Sequence, residues 1–194
     1  MAIRDIALIG EEVLLAPAAP VADPTSDRVR RIARDMRDTL ESLDAIAMAA
    51  PQHRVLERLF VFNLPAHRIP QGARTAPAPW TVMVNPVVEP LTDRTQLLWE
   101  RCLSIPVLFA RVPRPAKVRV RYLDLDGASR EFIASGFLAN VLQHETDHLD
   151  GVLLTSRVTQ PRDLAADRVI CGAGRFFPYS AEAFDGRAAG VDPA

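Results

Sequence analysis

The sequence predicts an α+β fold with mainly antiparallel strands between two helices, the second of which carries His144-Glu145-Thr146-Asp147-His148. Three observations carry that reading. An apolar stripe at helical spacing lies near the N-terminus, a series of short strand patterns fills the middle, and a second helical stripe follows them. A doubly wound sheet would alternate strand with helix, and this order does not.

From Pro17 to Pro24 the chain is rich in proline and alanine, which predicts an extended surface segment. Val29, Ile32, Ala33, Met36, Leu40 and Leu43 then form an apolar stripe at helical spacing, with Ser26 or Asp27 as the cap. Five arginines lie between Arg28 and Arg37, but Asp27, Asp35 and Asp38 interleave with them, so the outer face reads as solvated rather than as a polyanion site. Leu59-Phe60-Val61-Phe62 and Thr81-Val82-Met83-Val84 read as short strands, separated by a proline-rich loop from Pro65 to Pro79. Leu97-Leu98-Trp99 leads into Glu100-Arg101-Cys102. Val118, Val120 and Tyr122 alternate with Arg119 and Arg121, and Asp126-Gly127 turns that strand back toward Glu131-Phe132-Ile133 as a hairpin. Leu138, Val141, Leu142, Glu145 and Leu149 fall on one face of a final helix that Gly151 stops. Residues 1–168 are expected to form one domain, with 169–194 a tail of little regular structure.

A chain of 194 residues is long enough for one well-filled core. Its 48% hydrophobic and 24% charged composition is that of an ordinary globular protein, and a formal charge of -1 implies neither nucleic acid nor an anionic membrane as partner. Met1 to Leu15 carries Arg4, Asp5, Glu11 and Glu12 among its apolar residues, so it has no secretory-type apolar core, and no run reaches a membrane span. Two cysteines, Cys102 and Cys171, are no disulfide framework at this size, which predicts a reducing cytoplasm and leaves a thiolate available for metal.

The chemistry centres on His144 and His148. Four residues apart on a helix, their imidazoles share one face and can grip a single divalent cation, with Glu145 placed to act as a base. A hydrolytic centre takes three protein ligands and leaves one position for water. Three sources compete for the third. A histidine six residues past His148 is absent, since that position is Leu154; a later glutamate exists only as Glu182, in the tail; and Cys102 lies in Glu100-Arg101-Cys102-Leu103-Ser104. A cysteine in apolar surroundings is more often a small buried hydrophobe than a ligand.

Three segments in order decide between these. Ala45-Ile46-Ala47-Met48-Ala49-Ala50-Pro51-Gln52, Glu100-Arg101-Cys102-Leu103-Ser104 and Gln143-His144-Glu145-Thr146-Asp147-His148 resemble the Gly-x-Gly-x-Ala-Ala-x-Gln, Glu-Gly-Cys-Leu-Ser and Gln-His-Glu-x-Asp-His marks of the peptide deformylase family. The resemblance runs from about Ile6 to Arg157 and includes Asn85-Pro86, Arg114-Pro115 and His148-Leu149-Asp150-Gly151. It implies a metal-dependent hydrolase that removes the formyl group from the N-terminal methionine of new polypeptides, with a formylated peptide as substrate. It also implies Cys102, His144 and His148 as ligands, and ferrous iron as the usual physiological metal. One thiolate and two imidazoles suit zinc, nickel and cobalt as well. By the same resemblance Glu145 handles the protons, while the Gln52 side-chain amide and the Leu103 backbone N–H stabilise the developing oxyanion. The segment around Ile46 and Ala47 is expected to pair with the substrate backbone, and Met48 and Val141 to form the methionine pocket. Glu100 would order its loop and Asp147 would support the ligands from behind.

Ala45, Ala47 and Arg101 stand where the family pattern has glycine. An added methyl can crowd backbone pairing. The Arg101 side chain is expected at the cleft, restricting it or meeting a carboxylate. The alternative is a deformylase-derived protein that keeps its metal but serves as a binding or regulatory module because its groove is partly closed. Many bacterial members dock on the ribosome through a basic C-terminal helix. Arg162, Arg168, Arg175 and Arg187 are instead scattered among acids and glycines, so stable ribosome docking is not supported.

Overall fold

In Leu59–Phe62 every residue is apolar, and only a sheet covered on both faces can bury such a run. The computed structural model, which describes residues 3–70, 73 and 75–171, shows that arrangement. Helix α1 (Asp27–Ser42) is followed by strands β1 (Ala47–Ala49), β2 (Leu59–Leu64), β3 (Ala78–Pro90), β4 (Thr95–Cys102), β5 (Ile105–Pro115), β6 (Lys117–Leu123) and β7 (Ser129–Ser135). Helix α2 (Gly136–Leu149), strand β8 (Leu164–Ala166) and the short helix α3 (Asp167–Ile170) complete the order. One antiparallel sheet runs β1-β2-β3-β6-β7 and a second runs β4-β5-β8.

Alternation along β1 and β2 sorts the core into two layers. Ala47, Ala49, Phe60 and Phe62 face α2 and pack with Leu142 and Leu149, whereas Met48, Leu59 and Val61 face α1 and pack with Val29, Ala33, Met36 and Leu40. A third cluster joins Cys102, Ile105 and Val112 of the β4–β5 hairpin to Ala7, Leu14, Leu153 and Leu154. The Ser26 hydroxyl caps α1 by accepting from the Val29 N–H at 3.4 Å. Leu43 falls just past the helix and is 45% exposed, so the apolar stripe ends at Leu40.

Several elements depart from the sequence expectation. Strand β3 continues through Asn85-Pro86 because the register shifts between Val84 and Val87. There Asn85 takes φ 50°, and its side-chain amide bonds both the N–H and the C=O of Val21 at 2.8 Å. Strand β5 carries no sequence signal because Pro106, Pro113 and Pro115 interrupt it. They are tolerated because β8 pairs only with Leu108–Ala110, and the prolines lie where no second strand flanks β5. Helix α2 is buried on several sides rather than along one stripe, as a helix between two sheets must be. The expected tail begins at Val169, which belongs to α3, and beyond Cys171 it lies outside the described residues.

The end of α2 is set by Gly151, at φ 72°, where a Cβ would come within 2.6 Å of the Leu15 carbonyl oxygen. Only glycine lets the N-terminal segment cross so close to the helix that carries His144 and His148. The Ala18 N–H donates to the Leu149 C=O at 2.8 Å and ties that crossing.

Candidate active site

Helix α2 projects His144, Glu145 and His148 toward the end of β4, which presents Glu100 and Cys102, and toward the turn Ala50–His53, which presents Gln52. The donor atoms of Cys102, His144 and His148 all lie within 4.8 Å of one another, and all three residues are buried. Cys102 Sγ is 3.2 Å from His148 Nε2. Donors around a tetrahedral ion sit roughly 3.3–3.6 Å apart, a spacing that the Cys102–His148 pair already approaches and that small side-chain shifts would give the third. The fit extends to the outer contacts. His144 Nδ1 meets Glu100 Oε2 at 2.8 Å, which leaves Nε2 as its donor atom and fixes the ring.

A buried ionic network holds Glu100 in place. Arg114 forks onto its two carboxylate oxygens at 2.5 and 2.9 Å and reaches Asp147 Oδ2 at 2.8 Å. Asn140 donates to Glu100 Oε1 at 2.8 Å, and Arg157 binds the Asp147 carboxylate from outside. Burial works against both charges of the Glu100–Arg114 pair, yet the pairing holds Glu100 down at about 2 and Arg114 above its ordinary value. Burial likewise opposes charge on His144, but the Cys102 and Glu100 groups bonded to it raise it well above its usual range. His148, buried beside His144, is held well below its own. Burial also pushes Glu145 up to about 7, and its Oε2 has no hydrogen-bond partner among the described residues. A buried carboxylate that has one oxygen unpartnered and sits beside a donor triad is equipped to take and give a proton.

Gln52 is oriented from both ends. Its Oε1 accepts from the Ala49 N–H at 2.9 Å, so its NH2 must point the other way, 3.2 Å from Ser104 Oγ and 3.7 Å from Cys102 Sγ. A cleft of about 560 Å³ opens beside this group. Ile46, Ala47, Arg101, Leu103 and Val141 line it, together with Gln52, His144 and Glu145. Met48 does not. Alternation in β1 sends its side chain to the α1 layer, where it is fully buried, so the methionine-pocket expectation for it is replaced by a core position. Phe109, Phe137 and Trp99 also line the cleft, and sequence reasoning missed them along with Arg114 and Asn140 as partners of Glu100. Arg114 gives no local signal of its own, because the prolines of β5 hide the inward positions that it shares with Val112.

One cysteine sulfur, two imidazoles and a buried carboxylate with an unpartnered oxygen beside a cleft define a metallohydrolase-type protein on an α+β frame. The polypeptide deformylase family model matches residues 3–163. The chain belongs to the peptide deformylase family. It is 40% identical over 176 residues to peptide deformylase 1 of Corynebacterium glutamicum, covering 91% of this chain and 99% of that protein. Against peptide deformylase 1 of Nitrosomonas europaea it is 36% identical over 160 residues, covering 82% and 90%. Among solved structures, the actinonin complex of a Synechococcus elongatus peptide deformylase matches with TM-score 0.73 at 36% identity, covering 82% of each chain. The Met-Ala-Ser complex of a class I type b peptide deformylase from Acinetobacter baumannii matches with TM-score 0.74 at 32% identity, covering 81% of this chain and 99% of the other.

Proposed function

We propose that this metal-dependent hydrolase removes the N-formyl group from the N-terminal formyl-methionine of new polypeptides, using Cys102, His144 and His148 as metal ligands. The observation that carries the assignment is the gathering of those three donors beside a buried Glu145 carboxylate whose Oε2 has no partner among the described residues, at a cleft that Glu145 lines. A divalent ion held there supplies Lewis acidity and lowers the pKa of a water molecule. Ferrous iron is the metal proposed for the cell, and zinc, nickel and cobalt suit the same donors.

The residues of the chain supply the rest. Glu145 accepts the proton of the attacking water and delivers it to the departing amine nitrogen, so the formyl C–N bond breaks into formate and a free N-terminus. Burial raises its affinity for that proton, and a neighbouring cation draws it part of the way back down. The Gln52 amide, held by Ala49, donates to the formyl oxygen as negative charge develops, with the Leu103 backbone N–H as the second donor. Glu100 and Arg114 keep the His144 ring aimed. Ile46 and Ala47, on the cleft wall, pair with the peptide backbone, and Val141 contributes to the methionine pocket. The Met-Ala-Ser tripeptide bound by the Acinetobacter baumannii relative is the product such a substrate would leave.

A closed-groove binding module is not favoured, because Ala45 and Ala47 line the cleft and leave it open. No described helix is long and apolar enough to cross a membrane, and the cytoplasm is the proposed compartment. The scattered charges of the C-terminal sequence support work without stable ribosome docking. The test is formate release from formyl-Met-Ala-Ser by protein loaded anaerobically with ferrous iron. Glu145→Ala is expected to lower kcat by about 10²–10⁴-fold. Equal rates for the two proteins would remove Glu145 from the mechanism.

A further inference from the structure

Among the described residues, the cleft contains a cation, Arg101, with no counter-charge bonded to it, although it lies near enough to the Cys171 thiol to act on it electrostatically. Strand β4 buries Gln96, Leu98, Glu100 and Cys102 on one side and turns Trp99 and Arg101 toward the cleft. The other arginine on the cleft wall, Arg68, is paired with Asp44 at 2.7 Å. Arg111, across the hairpin from Trp99, stacks its guanidinium 5.5 Å from that ring and binds Asp163 at 2.6 Å. Glu100, the acid next to Arg101 in sequence, is committed to Arg114 and His144. Arg101 itself is exposed and has no hydrogen-bond or ion-pair partner among the described residues. Opposite it in register lies Phe109, a buried ring on the cleft wall that carries no anionic group to neutralise a guanidinium.

Its place along the substrate follows from its neighbour. Arg101 is one residue from the ligand Cys102, and adjacent Cα atoms are roughly 3.8 Å apart. An extended peptide advances about 3.3–3.6 Å per residue. A long side chain starting beside that ligand is thus within reach of the first residues of an extended peptide, the first or second after the formyl-methionine included. A planar, permanently charged fork at such a point recognises a carboxylate.

We propose that Arg101 is a specificity residue that binds a carboxylate one or two residues beyond the formyl-methionine, making acidic formyl-peptides the preferred substrate class. The inference rests on the deformylase reading above. The carboxylate can come from an acidic side chain or from the C-terminus of a short formyl-peptide, and two peptide comparisons separate these sources.

The experiment measures kcat/KM of the metal-loaded protein on amidated formyl-Met-Asp-Ser and formyl-Met-Asn-Ser, and on formyl-Met-Asn-Ser as the free acid. In parallel, the Kd values of amidated Met-Asp-Ser and Met-Asn-Ser and of free-acid Met-Asn-Ser are measured by calorimetry, which needs no turnover. A side-chain carboxylate gives an Asp-over-Asn preference of about five- to tenfold at low salt, shrinking as salt rises. A terminal carboxylate gives the same preference for the free acid over the amide. Either preference must collapse in Arg101→Gln and reverse in Arg101→Glu. Ratios near one in the wild type, or a preference that survives Arg101→Gln, overturn the proposal. Turnover with a ratio of one leaves the deformylase reading standing. Absence of turnover on every peptide counts against that reading, while the calorimetric ratios still decide the role of Arg101.

Discussion

Replacing Arg114 by Met tests whether the buried ionic network is what aims the metal ligands. Arg114 is 3% exposed and gives Glu100 two of its hydrogen bonds and Asp147 one. In the variant Asp147 keeps Arg157, so the loss falls on Glu100, left with Asn140 and His144. Stripping one partner from a buried pair costs about 3–5 kcal/mol because the other charge stays unpaired. For a chain of this size that lowers the melting midpoint by about 6–20 °C. The second consequence is at the metal. A carboxylate no longer fixed cannot hold the His144 ring, and loss of such support weakens metal affinity by about 10–100-fold. Thermal melts of metal-free protein read the first effect, and zinc competition with a chromophoric chelator reads the second. Adding Glu100→Gln to Arg114→Met removes the unpaired charge, so the double variant should be more stable than the single one. A midpoint within about 2 °C of wild type, with unchanged zinc affinity, would show that Arg114 neither stabilises Glu100 nor aims the His144 ring.

Two further predictions concern strained or buried groups away from the metal. Val107 sits at φ 69° and is 64% exposed, a conformation that costs a β-branched residue about 1–2 kcal/mol. Val107→Gly should therefore raise stability by about 0.5–1.5 kcal/mol in urea unfolding, after the added chain entropy of glycine is offset. A lowered midpoint would show that no strain is stored there. His53 is buried with its Nδ1 unpartnered, and its Nε2 lies 3.4 Å from Thr39 Oγ1. Burial, reinforced by Arg4, holds its pKa below the ordinary histidine value. The neutral form is thus favoured in the native state, and its stabilising effect is full above about pH 6.5 and lost as the pH falls below it. Unfolding free energy followed from pH 7.5 to 5.5 should decline more steeply for wild type than for His53→Gln, and parallel curves would contradict this.

What the sequence made legible follows from which physical signals are local. The α1 stripe and the β6–β7 hairpin were readable because each element presents one buried face, so periodicity reports burial directly. Strand β5 was hidden because its prolines obscure a pattern that only the β4 partner makes regular. In α2 periodicity captured part of the helix only, since a helix buried between sheets has no single apolar stripe. His144 and His148 are legible as candidate ligands through residue type and spacing, and Cys102 only through the family resemblance. Met48 was misplaced because pairing with the substrate and pointing into its pocket are different things on a strand. Neighbouring residues face opposite sides, and Ala47 rather than Met48 faces the cleft. The Arg114 network depends on β4, β5 and α2 meeting, which no local pattern reports.

X-ray absorption on protein loaded with one equivalent of zinc or cobalt reads the proposed ligand set itself. One metal per chain is expected, with one sulfur scatterer at about 2.3 Å and two imidazole nitrogens at about 2.0–2.1 Å. The sulfur shell should vanish in Cys102→Ser. A shell of nitrogen and oxygen only, or a sulfur signal that persists in Cys102→Ser, would contradict a centre built from Cys102, His144 and His148.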